Sequence, residues 1–354
     1  MSTVTGHGRE VAAVEIAPRV ILTGHGEEVE QVAIAPDGTW LVTASWYSAR
    51  IWNSDGTLRA TLTGHEGLVE QVAIAPDGTW LATTSADDNA LPIWAADGTL
   101  RATLTGHDGT VDEVRIAPDG TWLASADGQT ARIWDSDGTL RAILTGHQDG
   151  VTAVAIAPDG TWLATASLDK TARIWDSDGT LRATLTGHQD GVTAIAIAPD
   201  GTWLATASAD TVRIWDSDGT LRATLTGHQD KVWAVAIAPD GNWLATASAD
   251  KTARVWDSDG TPRAILTGHK DLVGRVAITP DGTWLATASW DKTARIWSNQ
   301  GIHLATLTGH QGKVDALAIA PDGTWLATAS DDYTAQIWDM DGHILKDPGS
   351  TFET

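Results

Sequence analysis

The sequence predicts an all-β fold: a single closed ring of eight four-stranded antiparallel units, with a truncated extra unit at the N-terminus. Two observations carry that prediction. Gly-His pairs recur every 40 to 42 residues, at His25, His65, His107, His147, His188, His228, His269 and His310. After each pair the same landmarks return in the same order: Ala-Pro-Asp-Gly (Thr-Pro-Asp-Gly once, at Thr279), then Gly-Thr-Trp or Gly-Asn-Trp, then Ile-Trp or Val-Trp. A fixed period of this length means one supersecondary unit repeated, each needing its neighbours to bury its apolar faces.

The unit that opens at His147 shows the elements in order. Val151 to Ala157 is a β-branched, apolar run stopped by Pro158-Asp159-Gly160, a turn signal. Trp162 to Ser167 is a second run, broken by Leu168 to Thr171. Ala172 to Trp175 is a third, stopped by Asp176 to Gly179, and Leu181 to Leu185 is a fourth. Short strands joined by Asp/Gly turns make an antiparallel meander, and no segment carries a convincing helical period. Units apolar on both faces bury themselves by radial stacking into a β-propeller, which leaves only short sheet edges.

Composition sets further bounds. Of 19 Trp, all but Trp46, Trp233 and Trp290 belong to the two repeated Trp positions. The absence of Cys fits a reducing compartment, hence a cytoplasmic expectation, and rules out a disulfide framework. No apolar leader or 18-residue apolar run predicts secretion or a membrane span. A net charge of -23 opposes nucleic-acid binding. Much of that acidity sits at recurrent positions, so it argues only weakly for a basic partner.

In the order Gly-His, Pro-Asp-Gly, Ser-x-Asp and Trp-Asp, repeated from residue 19 to about 346, the chain resembles the WD-repeat β-propellers, in particular the bacterial type with near-identical repeats. The resemblance implies a hydrogen-bonded tetrad in each blade. In the unit of His147 it would join His147, a second-strand hydroxyl (Ser167, or Thr165 two residues earlier on the same face), Asp169 and Trp175. The corresponding sets are His188, Ser208, Asp210 and Trp215; His228, Ser248, Asp250 and Trp256; His269, Ser289, Asp291 and Trp297; and His310, Ser330, Asp332 and Trp338. Aspartate would fix the histidine tautomer, and the indole N–H needs a buried acceptor. Three units depart: the first has Tyr47 in place of the aspartate, the second has Asp87 but also Pro92 near its third strand, and the third places Ser125 and Asp127 only approximately. The early blades are therefore expected to be the less stable ones.

Ring closure needs a strand for the outer edge of the last blade, or an unpaired edge remains. Val20 to Thr23 and His343 to Lys346 compete for that place, and the family's N-to-C-terminal latch favours the first. Residues 1–18 hold another Gly-His, at His7, and a first strand, then jump straight to the latch, as a unit whose middle has been lost. That segment is expected to be disordered, to lie on an outer edge or to pair with a second copy, giving a monomer or a dimer. Residues 347–354 form a C-terminal tail.

Chemistry is expected to be absent. Eight copies of a His-Asp-hydroxyl set read as scaffold, not as eight nucleophiles. Asp176 to Gly179 and its copies lack the later ligands of a calcium loop, and no phosphate-loop, zinc-protease or nucleophile-elbow motif occurs. No cofactor or metal is expected, and no catalysis. Function is better sought where the units differ. One variable column follows the first strand's leading Val: Glu30, Glu70, Asp112, Thr152, Thr193, Trp233, Gly274 and Asp315. Another precedes the tetrad aspartate or its replacement and includes Trp46, Leu168, Trp290 and Asp331. By resemblance both columns face the partner-binding end of the ring, with Trp233, Trp290 and Trp46 as an aromatic arc beside carboxylates, suited to a basic protein or peptide. The expected role is a non-catalytic interaction scaffold, such as the sensor region of a larger signalling protein. The alternative is a recently amplified or engineered array of mainly structural interest, assembling through its incomplete N-terminal unit.

Overall fold

A computed structural model of the chain describes residues 14–16 and 18–340. Eight sheets follow one another along the chain, and all regular structure in the described residues is strand. In blade 4 the strands Val151–Ile156, Trp162–Ser167, Ala172–Asp176 and Leu181–Leu185 pair antiparallel in sequence order. Blade 1 differs in that its second and third strands run together as Trp40–Asn53.

Local chemistry sets the turns. Asp159 accepts from the Thr161 amide at 3.0 Å, and Gly160 sits at φ 67, a left-handed conformation that glycine adopts without steric cost. In the turn before the outer strand, Gly179 stands so close to blade 3 that a Cβ would lie 2.7 Å from that of Ala142. Glycine here permits one blade to stack on the next.

The core lies between blades. Trp122 and Ile133 of blade 3 pack with Val151, Val154, Leu163 and Trp175 of blade 4 in one buried cluster. The same arrangement links blade 8 to blade 1, where Trp325 and Ile337 meet Val29, Val32, Leu41 and Trp52. All sixteen repeat tryptophans are at most 6% exposed, so each repeat signature is spent on this interdigitation. Radial stacking is the physical consequence of strands that are apolar on both faces.

The N-terminal latch closes the ring. Strand β2 (Val20–Leu22) pairs antiparallel with Ala335–Asp339, Leu22 opposite Ala335 and Val20 opposite Ile337. Leu22 is fully buried between blades 8 and 1. Arg19 reinforces the seam, donating to Asp339 at 2.8 Å and to the Ser54 carbonyl of blade 1 at 2.7 Å. The competing segment, His343 to Lys346, lies outside the described residues, as do residues 1–13 and the tail 347–354. Of the truncated unit, strand β1 (Val14–Ile16) lies parallel to His303–Thr308 as a fifth strand on the outer edge of blade 7.

Candidate functional site

The histidines that recur through the sequence are pins. His147 Nε2 meets Thr165 Oγ1 at 2.8 Å, Trp175 Nε1 donates to the same oxygen at 2.9 Å, and His147 Nδ1 meets Asp169 at 2.8 Å. An indole N–H can only donate, so the Thr165 hydroxyl accepts it and donates to Nε2, leaving the proton of the neutral ring on Nδ1, facing Asp169. Burial pushes Asp169 up, but hydrogen bonds from Thr171, the Gln148 amide and His147 outweigh it and hold it at about 2. Burial likewise keeps His147 below its ordinary value, against the pull of Asp169. The set is therefore a neutral ring on an ionised carboxylate.

The central hydroxyl corrects the serine assignment. In every complete tetrad it is the threonine, Thr165, Thr246, Thr287 or Thr328, that bridges His and Trp. Ser167 instead donates to the Asp149 carbonyl and accepts from the Asp169 amide. Ser248 and Ser289 make the same two bonds, Ser330 accepts from the Asp332 amide, and Ser208 donates to the Asp190 carbonyl. The cause is direction: Thr165 and Ser167 share a face, but the serine stands over the turn rather than between the two rings.

A second correction concerns Asp210, together with Asp87 and Asp127. His188 keeps its bond to Thr206, but its Nδ1 has no partner among the described residues, and the same holds for His25, His65 and His107. From the bridging hydroxyl (Ser125 in blade 3, threonine in the others) to the Trp is 10 residues in blades 4, 6, 7 and 8, but 9 in blades 1, 3 and 5 and 11 in blade 2. With ten, the residue after the aspartate turns into the left-handed region (Lys170 φ 70, Lys251 φ 70, Lys292 φ 74, Tyr333 φ 69) and swings the carboxylate onto Nδ1. With nine the turn is one residue shorter, and even where a left-handed residue remains (Tyr47 φ 64 in blade 1, Gly128 φ 52 in blade 3) no carboxylate reaches Nδ1. In blade 3 the buried Asp127 pairs with Arg132 instead.

The end of the ring where the inner strands begin is built differently. In six blades the register slips immediately after the leading Val, for example between Val29 and Gln31 and between Val314 and Ala316. The residue skipped is the variable one, so Glu30, Asp112, Thr152, Trp233, Gly274 and Asp315 are β-bulge positions, and a bulge re-aims a side chain out of the ladder. Glu70 and Thr193 occupy the same place immediately before shorter inner strands. This column, then, varies because no partner across the sheet constrains it.

Four carboxylates on consecutive blades, Asp315, Glu30, Glu70 and Asp112, line that rim. Burial first, then Asp315 and Glu28, pushes Glu30 up to about 7. Burial, then Asp112 and Glu113, does the same to Glu70, also to about 7. Asp315 is raised by burial and by Asp331, against opposing pulls from Trp290, Lys313 and Arg275; Asp112 is raised mainly by burial. Behind the rim a channel cavity of about 460 Å³ is walled by Gln31, Gln71, Glu113, Arg115, Thr193, Trp233 and Arg275, with Leu168 and Lys231 at its mouth. Glu113 pairs with Arg115 at 2.5 Å.

The three unpatterned tryptophans occupy this end but do not meet. Among the described residues no two of their rings are in contact. Trp46 (38% exposed) packs on Tyr47, Trp290 (37% exposed) faces Lys313 at 4.1 Å, and Trp233 lines the channel with Lys231 at 3.9 Å over its ring. Leu168 is exposed beside the channel and Asp331 sits by Asp315. One functional column escaped the sequence reading. The position after the bulge reads Gln31, Gln71, Glu113, Ala153, Ala194, Ala234, Arg275 and Ala316, and its polar members meet in the channel. Four alanines against two glutamines, a glutamate and an arginine were the available signal.

The rim has a pH signature. Glu30 and Glu70 bind a proton more tightly folded than unfolded, so stability falls as pH rises from about 4.5 to about 7 and is level above that. Both are half-exposed and solvent screens them, so Glu30→Gln is expected to stabilise by a few tenths to about 1 kcal/mol at pH 8 and by nothing measurable at pH 4. Urea unfolding of the two proteins at both pH values checks it, and an equal gain at pH 4 counts against the assignment.

Among the described residues no group of three or more His, Cys, Asp or Glu is placed to hold a metal ion, and no helix is long and apolar enough to cross a membrane. No curated protein matches the chain. The family model described as WD domain, G-beta repeat matches eight times, over residues 16–53, 56–94, 98–135, 138–176, 179–216, 219–257, 260–298 and 301–339. These matches tile the eight blades from end to end, and the chain belongs to the WD domain, G-beta repeat family.

Proposed function

We propose that the chain is a non-catalytic scaffold that grips a basic segment of a partner protein at the channel rim, as the sensor or docking region of a signalling assembly. Propellers of this family are typically protein-interaction scaffolds. The observation that carries the finer reading is the rim of Asp315, Glu30, Glu70 and Asp112. Partial burial opposes the ionisation of all four and repulsion from nearby carboxylates adds to it, and a cation brought among them favours their charged forms. The neighbouring indoles support the same chemistry. Lys231 and Lys313 already lie over Trp233 and Trp290, so these rings take ammonium groups, and an incoming Lys or Arg would exchange with the resident ones.

The test is a binding titration with short peptides carrying one Arg or Lys, against the same peptides with that residue replaced by norleucine. The basic peptides are expected to bind more tightly above pH 7 than below it, to weaken with salt, and to lose roughly tenfold in affinity with Glu30→Gln/Asp315→Asn or with Trp46→Ala/Trp233→Ala/Trp290→Ala. Basic and neutral peptides binding alike, or both variants keeping wild-type affinity, would end the proposal.

A further inference from the structure

Blade 7 departs from the other blades on its outer edge. In the other seven blades an arginine stands at one fixed place on the outer strand or next to it: Arg59, Arg101, Arg141, Arg182, Arg222, Arg263, and Arg19 immediately before β2. In blades 3 to 6 that arginine pairs with the aspartate following the third-strand tryptophan, and the latch rebuilds the pair as Arg19–Asp339 at 2.8 Å. Blade 7 has Leu304 for the arginine and Ser298 for the aspartate. Blade 8 adds a further change beside it, Met340 where blades 3 to 6 have serine.

These changes converge. Met340 is fully buried, and Leu304 packs against the same apolar cluster, which also holds Trp284 and Trp338. Ile16 of β1 completes that cluster at 5% exposure, opposite Leu307 in a parallel register. A half-exposed arginine ion pair at an edge is a guard, because a strand laid along it would strip water from the charges. Leucine reverses the sign, since covering it gains hydrophobic free energy. Blades 1 and 2 have Asn53 and Ala95 for the aspartate but keep Arg59 and Arg101, so the fifth strand sits on the one edge where the arginine itself is gone.

We propose that the outer edge of blade 7 is a strand-docking site for an extended, parallel segment with an aliphatic residue at the Ile16 position. Residues 14–16 fill it in cis, and a second chain segment of the same chemistry takes it when they are displaced. Specificity lies in Leu304 and Ser298, and the main-chain ladder supplies the rest of the affinity.

The full-length chain tests this in two ways. Hydrogen exchange is expected to show protected amides at residues 14–16, and their protection is expected to disappear in Ser298→Asp/Leu304→Arg while the rest of blade 7 stays protected. A full-length Ile16→Asp chain, its own strand released, is expected to bind a labelled peptide of residues 10–17 saturably. Binding is expected to be at least roughly tenfold weaker in wild type, where the site is occupied, and in Ile16→Asp/Ser298→Asp/Leu304→Arg, where the guard is restored. Equal peptide binding by the released and guard-restored chains overturns the proposal. So does unchanged protection of residues 14–16 in Ser298→Asp/Leu304→Arg, or a released chain that binds no peptide.

Discussion

Replacing Thr165 by Val is expected to cost about 2–5 kcal/mol of stability, and replacing Ser167 by Ala distinctly less, about 1–2 kcal/mol. Both side chains are fully buried, so the difference is one of connectivity. The Thr165 hydroxyl is the only bridge between His147 and Trp175. Valine keeps the shape and leaves the indole N–H and the ring Nε2 buried with nothing to bond, and a buried orphan costs far more than a lost surface hydrogen bond. Ser167 links a loop carbonyl to the Asp169 amide; its removal loosens a turn without orphaning a ring. Denaturant midpoints for the two variants decide it. A cost for Ser167→Ala equal to that for Thr165→Val would place the serine in the network after all.

The contrast shows where sequence reading succeeds. Period, turn signals and apolar runs are local, and they placed the strands and the eight blades; the N-terminal latch is favoured over His343 to Lys346 only by resemblance to the family. Which of two hydroxyls on one face reaches the rings depends on a strand pairing and a turn acting together. The threonine and the serine recur alike in the sequence, so recurrence could not separate them. The spacing between that hydroxyl and the tryptophan could have found the incomplete blades, because only the ten-residue spacing goes with the turn in which Asp169 meets the ring and Lys170 follows it in the left-handed region. The rim was legible as a variable column, but its cause was not. A bulge is a mismatch between two strands, and neither strand alone records it. Trp46, Trp233 and Trp290 stood out as departures from the repeat, yet Lys231 and Lys313, the partners of Trp233 and Trp290, come from neighbouring positions that vary without pattern.

Acid should expose the incomplete blades first. Burial, then Arg50 and Arg213, holds His25 and His188 down at about 4. An unfolded histidine takes its proton near 6.5, so the folded state loses stability as pH falls from about 6.5 to about 4 and is unaffected above that range, by on the order of 3 kcal/mol for each residue. The rim glutamates act in the opposite sense over much of the same interval, but they are half-exposed and screened, so the histidines dominate. Inserting a lysine between Asp210 and Thr211 restores the ten-residue spacing from Thr206 to Trp215. Asp210 is then expected to reach His188 Nδ1, satisfying a buried donor that is now alone. The gain is expected to be about 1 kcal/mol at pH 7.5. It should grow to about 2–3 kcal/mol at pH 4.5, because the carboxylate raises the histidine's pKa and lets the folded state take the proton with less penalty. Urea unfolding of the parent and insertion proteins at the two pH values measures both effects. The same gain at both would mean that the new turn is better formed but the aspartate has not met the ring, and the left-handed residue would lose its assigned part in building the tetrad.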